Sequence, residues 1–132
     1  HIGDSRIYTV YNNEIKMITK DHSYVQQLID KGDITVDESH NHPNRNIITK
    51  ALGISDVPEP DIYDMTLDCC EYILLCTDGL TNMLDDTDIL NIINQETDLE
   101  EKVKDLAQKA NEKGGTDNIT IILIKADNNP EE

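Results

Sequence analysis

The chain has 132 residues and carries 27 Asp plus Glu against 11 Lys plus Arg, a formal net charge of −16, so its field repels nucleic acid and anionic membrane and favours cations or basic partners. That length suits one domain with a real core, but with no Phe, no Trp and five Tyr the core has to be aliphatic. No apolar run approaches the roughly 20 residues of a membrane span and no signal sequence is visible. The three cysteines are odd in number and lack metal-type spacing, so Cys69, Cys70 and Cys76 read as small apolar side chains in a reducing, cytoplasmic compartment.

The chain starts at His1 and opens on a motif, as a piece of a longer protein would. Gly3-Asp4-Ser5 reads as a turn feeding the strand Ile7-Tyr8-Thr9-Val10-Tyr11, and Asn12-Asn13 turns it into a hairpin partner over residues 14–19. Ser23 with Gln26 is a capping-box pattern that starts a helix, whose apolar face is Tyr24, Val25, Leu28 and Ile29 and whose end is Gly32. Thr35 with Glu38 repeats the pattern for a short helix that Pro43 keeps from passing His42. Residues 47–52 have strand composition, and the two short helices before them look like a surface flap over about residues 21–50. His40 and His42, two apart, read as incidental rather than as metal ligands.

After a loop with Pro58 and Pro60, residues 61–67 alternate polar and apolar as a half-exposed strand does. Tyr72-Ile73-Leu74-Leu75-Cys76-Thr77 is apolar without a break until Thr77, the pattern of a strand buried on both faces. It stops at Asp78-Gly79, where glycine permits a sharp turn. Asp85 and Asp86 cap a helix with Ile89, Leu90, Ile92 and Ile93 on one face. Thr97 with Glu100 forms a third capping pattern for a helix whose apolar positions run from Leu99 to Ala110, ending at Gly114. Residues 119–125 then form a second nearly all-apolar strand, entered through Gly114-Gly115-Thr116-Asp117-Asn118, and the acidic tail 127–132 has a disordered composition.

Asp4, Asp78 and Asp117 thus lie at glycine-containing turns beside strands. If the strands leaving at Asp78 and entering at Asp117 are antiparallel neighbours, both carboxylates meet at one rim. The bland alternatives are that Asp78 caps a helix and that Gly114-Gly115 is only a helix stop. Hard oxygen ligands on fixed turns suit Mg²⁺ or Mn²⁺, and a pair of such ions sharing a hydroxide supports phosphoryl hydrolysis without a side-chain nucleophile.

Gly3-Asp4-Ser5-Arg6, Cys76-Thr77-Asp78-Gly79-Leu80 and Gly114-Gly115-Thr116-Asp117-Asn118-Ile119-Thr120, in this order, resemble the C-terminal motifs of the metal-dependent type 2C (PPM family) protein serine/threonine phosphatases. His42-Pro43-Asn44-Arg45-Asn46 followed by Ala51-Leu52-Gly53 is similar to the flap of bacterial members. The resemblance implies an α+β fold, an antiparallel β-sandwich flanked by helices in four α-β-β-α layers. Only its C-terminal part is expected here, residues 1–126. It implies Asp78 and Asp117 as ligands of a two-metal Mn²⁺ or Mg²⁺ centre, Asp4 as a ligand with Asp78 of a third ion, a structural role for Arg6, and Asn46 as a flap contact to that third ion. It also implies that the remaining acids, a phosphate-clamping Arg and a general-acid His belong to an N-terminal half outside this chain.

The function that follows is metal-dependent hydrolysis of phosphoserine and phosphothreonine in proteins by the complete parent, with this fragment alone inactive or poorly metallated. Phosphorylated proteins, a Ser/Thr protein kinase among them, are the expected partners, with neither nucleic acid nor membrane. Two rival readings are a degenerate phosphatase that binds phosphoproteins without hydrolysing them and a metal-independent acidic interaction module.

Overall fold

The computed structural model describes residues 1–67 and 70–126. Its elements, in chain order, are β1 (Arg6–Tyr11), β2 (Glu14–Met17), α1 (Tyr24–Lys31), α2 (Val36–His40), β3 (Tyr72–Cys76), α3 (Asp78–Thr81), α4 (Asp86–Ile93), α5 (Leu99–Glu112) and β4 (Ile121–Lys125). They divide between two compact units, one formed by His1–Ser5 with Lys20–Tyr63 and the other by Arg6–Thr19 with the chain from Asp64 onward.

The second unit is built on a four-stranded antiparallel sheet in the order β2-β1-β3-β4. Asn12 and Asn13 both take positive φ, 49° and 62°, which gives the two-residue hairpin joining β1 to β2 the twist its strands require. Side chains alternate across a strand, so Tyr8, Val10, Leu74 and Cys76 share one face. They pack with Leu80, Leu84, Ile89, Ile92, Ile93, Leu106 and Ala110 from the helical side into one aliphatic core. Each fully buried Leu or Ile there contributes about 1.5–3 kcal/mol. Arg6 Nη1 donates to the Tyr8 hydroxyl at 3.1 Å, and burial nevertheless pushes the Tyr8 pKa up to about 12.

Two strands expected to be buried on both faces are not. β3 alternates, with Leu74 and Cys76 buried and Ile73 and Leu75 half-buried, while on the edge strand β4 Ile122 and Ile124 are 53% and 46% exposed. Ile73 stands opposite Ile124 and Leu75 opposite Ile122, so these residues make up the sheet face away from the helices. The strands expected over 47–52 and 61–67 do not form. The first is reduced to one antiparallel bridge between Ser23 and Ile48, and the second has no regular secondary structure, because β-branched or alternating composition favours extension but only a partner strand makes a sheet. Among the described residues the sandwich is therefore represented by one sheet with helices on one face.

The helices start where side chains offer oxygen. Ser23 caps α1 at the Gln26 amide, and Gly32 ends it in the left-handed region at φ 78°. Gln26 does not complete the box; its amide donates to Asp30 instead. Thr35 and Glu38 form the full reciprocal box on α2. For α5 the expected cap is displaced by one residue: Asp98 accepts from the Glu101 amide, while Thr97 Oγ1 is buried without a partner. An ionised carboxylate is the stronger acceptor, and starting there turns Leu106 and Ala110 onto the core. That phase also buries Lys102, whose ammonium donates to the Gln95 carbonyl and lies 5.8 Å from the centre of the Tyr72 ring.

Cys70 and Cys76 are buried, and burial pushes the Cys70 thiol pKa up. Cys69 and the tail 127–132 fall outside the described residues. No described helix is long and apolar enough to cross a membrane.

Candidate metal centre

β3 and β4 are antiparallel neighbours with Cys76 opposite Ile121, so the turn leaving β3 and the turn entering β4 share one end of the sheet. Thr77 joins them. Its amide donates to the Thr120 carbonyl at 3.1 Å, its hydroxyl accepts from the Thr120 amide at 3.0 Å, and the same hydroxyl donates to the Asn118 carbonyl at 3.3 Å. Gly79 closes the junction. A Cβ at that position would lie 2.2 Å from the Asn118 carbonyl oxygen, so only glycine lets the two turns come this close. The expected sharp turn at Gly79 is instead the start of the short helix α3, and glycine is needed for approach rather than for backbone freedom.

Asp78 is the first residue of α3, after Thr77 at the cap position. Its Oδ2 accepts from Asn82 Nδ2 at 3.2 Å and it is half-buried. Asp117 is exposed, and its Oδ1 accepts from the Asn118 amide at 2.7 Å. Among the described residues neither carboxylate pairs with Lys or Arg. Gly114 and Gly115 act as the helix stop: both take positive φ, and their amides donate to the Asn111 and Ala110 carbonyls at the end of α5.

Oxygen donors on fixed turns with no competing cation suit a hard divalent ion in kind, but they are only part of what such an ion takes. Consistent with that, no group of three His, Cys, Asp or Glu side chains among the described residues is placed to enclose a metal. Asp4 and Asn46 belong to the first unit, Asp4 half-buried after the positive-φ Gly3 and Asn46 exposed in the turn after α2. His40 and His42 have local partners: the His40 carbonyl accepts from Arg45, and His42 Nδ1 accepts from the Asn44 amide.

Sequence reading passed over Thr77 as a clasp, and it missed His22. That imidazole is 9% exposed and donates from Nε2 to Asp61 Oδ2 at 2.9 Å, which holds the Asp61 carboxyl below the usual carboxylate range. Thirty-nine residues separate the two, and nothing local to either signals the other.

An antiparallel sheet backed by helices, with acids on two adjoining turns at one rim, places the chain in the α+β class. The protein phosphatase 2C family matches residues 32–119, and the chain belongs to that family. A protein phosphatase 2C-type protein of Streptococcus pyogenes is 42% identical over 124 residues, covering 94% of this chain and 50% of that protein. A solved serine/threonine phosphatase of Staphylococcus aureus superposes with a TM-score of 0.93 at 38% identity, over 96% of this chain and 50% of that one. The catalytic domain of the serine/threonine protein phosphatase PstP, solved in complex with two manganese ions, superposes with a TM-score of 0.75 at 33% identity, over 93% of this chain and 50% of that one. The chain thus spans about half the length of the relatives it matches.

Proposed function

We propose that this chain is the C-terminal part of a serine/threonine protein phosphatase that hydrolyses phosphoserine and phosphothreonine in proteins with the help of Mn²⁺ or Mg²⁺. The observation that carries the reading is the Thr77–Asn118 clasp, which puts the turns of Asp78 and Asp117 side by side in a chain of the protein phosphatase 2C family. When bound, the divalent ions supply an activated water and neutralise charge on the phosphorus oxygens. The work of this chain is to hold donors: Asp78 and Asp117 for the two-metal centre, Asp4 with Asp78 for a third ion, and Asn46 as a flap contact to it. Residues 1–126 form part of a single catalytic domain with a flap over about 21–50, in a cytoplasmic protein whose substrates are phosphoproteins and include a Ser/Thr kinase. Half of the ligand set binds metal weakly, so this chain alone is inactive.

Hydrolysis of a phosphothreonine peptide with and without Mn²⁺, by this chain and by the longer parent in parallel, tests the reading. Manganese-dependent turnover by the parent alone, abolished by Asp78→Asn, is the expected result. Turnover by neither protein would overturn the enzyme in favour of a phosphoprotein-binding relative, and turnover by this chain would overturn the missing half-site.

A further inference from the structure

His22 is a buried polar residue of the first unit, and two of its bonds go to the residue before Asp4. Its Nδ1 accepts from the Gly3 amide at 3.1 Å, and its own amide donates to the Gly3 carbonyl at 2.8 Å, so both polar groups of Gly3 are bound to one residue. Because Nδ1 is an acceptor, the ring proton sits on Nε2, where it reaches Asp61. The His22 carbonyl takes the Thr49 amide at 2.7 Å, the Asp61 amide donates to the His1 carbonyl at 2.9 Å, and the His1 ring lies against the imidazole at 4.9 Å between centroids. Residues 1–3, the chain at Thr49 and Asp61 thereby meet at one residue.

Two roles suit a buried His beside an Asp: proton transfer or positioning. Proton transfer needs a ring nitrogen open to a substrate, and here both are occupied within the fold. The Gly3 backbone, at φ 109°, is left to be set by what grips it. We propose that His22 is a positioning residue which, through Nδ1 and the Gly3 amide, fixes the direction in which Asp4 presents its carboxylate to a divalent cation. This rests on the reading of Asp4 as a ligand given above. A group that orients a ligand without touching the ion typically changes metal affinity by about 10–100-fold when replaced.

Two substitutions separate the two ends of the ring. In His22→Asn the side-chain oxygen takes the place of Nδ1 and keeps the Gly3 bond while losing Asp61. In His22→Gln the longer amide reaches Asp61 and gives up Gly3. Manganese binding to the full-length protein is measured by calorimetry and by the paramagnetic resonance of free Mn²⁺, alongside melting temperature and phosphopeptide kinetics, with Asp4→Asn as reference. Asp4→Asn should remove one class of Mn²⁺ sites, His22→Gln should weaken that class by about 10-fold or more, and His22→Asn should hold it within about 3-fold. If Asp4→Asn removes the class but His22→Gln binds as the parent does, the inference falls and the reading of Asp4 stands. If Asp4→Asn leaves every site unchanged, that reading falls and takes the inference with it. Equal weakening by both His22 variants with equal loss of melting temperature overturns the inference as well, since the imidazole would then be only a packing element.

Discussion

The two units of this chain are held together by different forces. In the second, eleven buried residues from β1, β3 and the helical side form one cluster, almost wholly aliphatic. In the first, Val25 is the only hydrophobic side chain in the buried class among the described residues, and its company there is polar: His22, Ser23 and Ser39. Apolar burial is non-directional and scales with area, so it stabilises a sheet and helices as a whole, whereas hydrogen bonds contribute only ~0.5–1.5 kcal/mol each but fix direction. The proposed ligands divide accordingly. Asp78 and Asp117 sit at the rim of the well-packed unit, while Asp4 and Asn46 sit in a unit whose order depends on a few polar contacts. Segments of that kind open locally at low free-energy cost, which suits the flap proposed over about 21–50.

That contrast can be broken from the apolar side first. Leu74→Ala, at a fully buried position in the middle of β3, should cost about 2–5 kcal/mol in urea unfolding of the second unit, the largest effect expected here. Gly79→Ala comes next, since its methyl must displace the Asn118 backbone. Overpacking of this sort costs ~1–3 kcal/mol and should also weaken Mn²⁺ binding by the full-length protein, a pairing of losses that Leu74→Ala should not reproduce at temperatures where it stays folded. Thr77→Val keeps the β-branched shape but removes the hydroxyl from two exposed bonds, to the Thr120 amide and the Asn118 carbonyl, for ~0.5–1.5 kcal/mol, and Thr77→Ser should restore most of it. A Val variant as stable as wild type would remove the hydroxyl from the account of the rim.

The smallest effect sharpens the comparison from the polar side. The His22 hydrogen bond holds the Asp61 carboxyl, and the Thr35 amide the Glu38 carboxyl, below their ordinary values. A folded pKa below the unfolded one stabilises the fold above the usual carboxylate range of ~4, and that stabilisation is lost as pH falls through the depressed value. On acidification below pH ~4, the amide resonances of Gly3 and Thr35 should therefore shift before those of the β1–β3 ladder. Simultaneous shifts in both units would show that the polar contacts are not the weaker link.

Much of the second unit was legible locally. The Asn12-Asn13 turn, the apolar runs of β3 and β4 and the glycine stop at Gly114 each carry their own stereochemical cause within a few residues. The displaced cap at Asp98 was not, because Thr97-Glu100 and Asp98-Glu101 are equally good patterns one residue apart and the core seam of α5 chooses between them. Nor were the missing ladders at 47–52 and 61–67, where composition states a preference for extension and only the presence of a partner strand turns it into sheet.

The sequence by itself determined the acidic field, the aliphatic core, the starts of α1, α2 and α4, and the position of Asp4, Asp78 and Asp117 just outside strand ends, because charge, capping chemistry and side-chain periodicity act over a handful of residues. Tertiary structure alone decided the strand order that makes β3 and β4 neighbours, the approach of Gly79 to Asn118, the burial of Lys102 over Tyr72 and the His22–Asp61 contact. Each of these joins residues far apart in the chain, and such a contact forms only when burial elsewhere has offset the entropy of closing the loop between them.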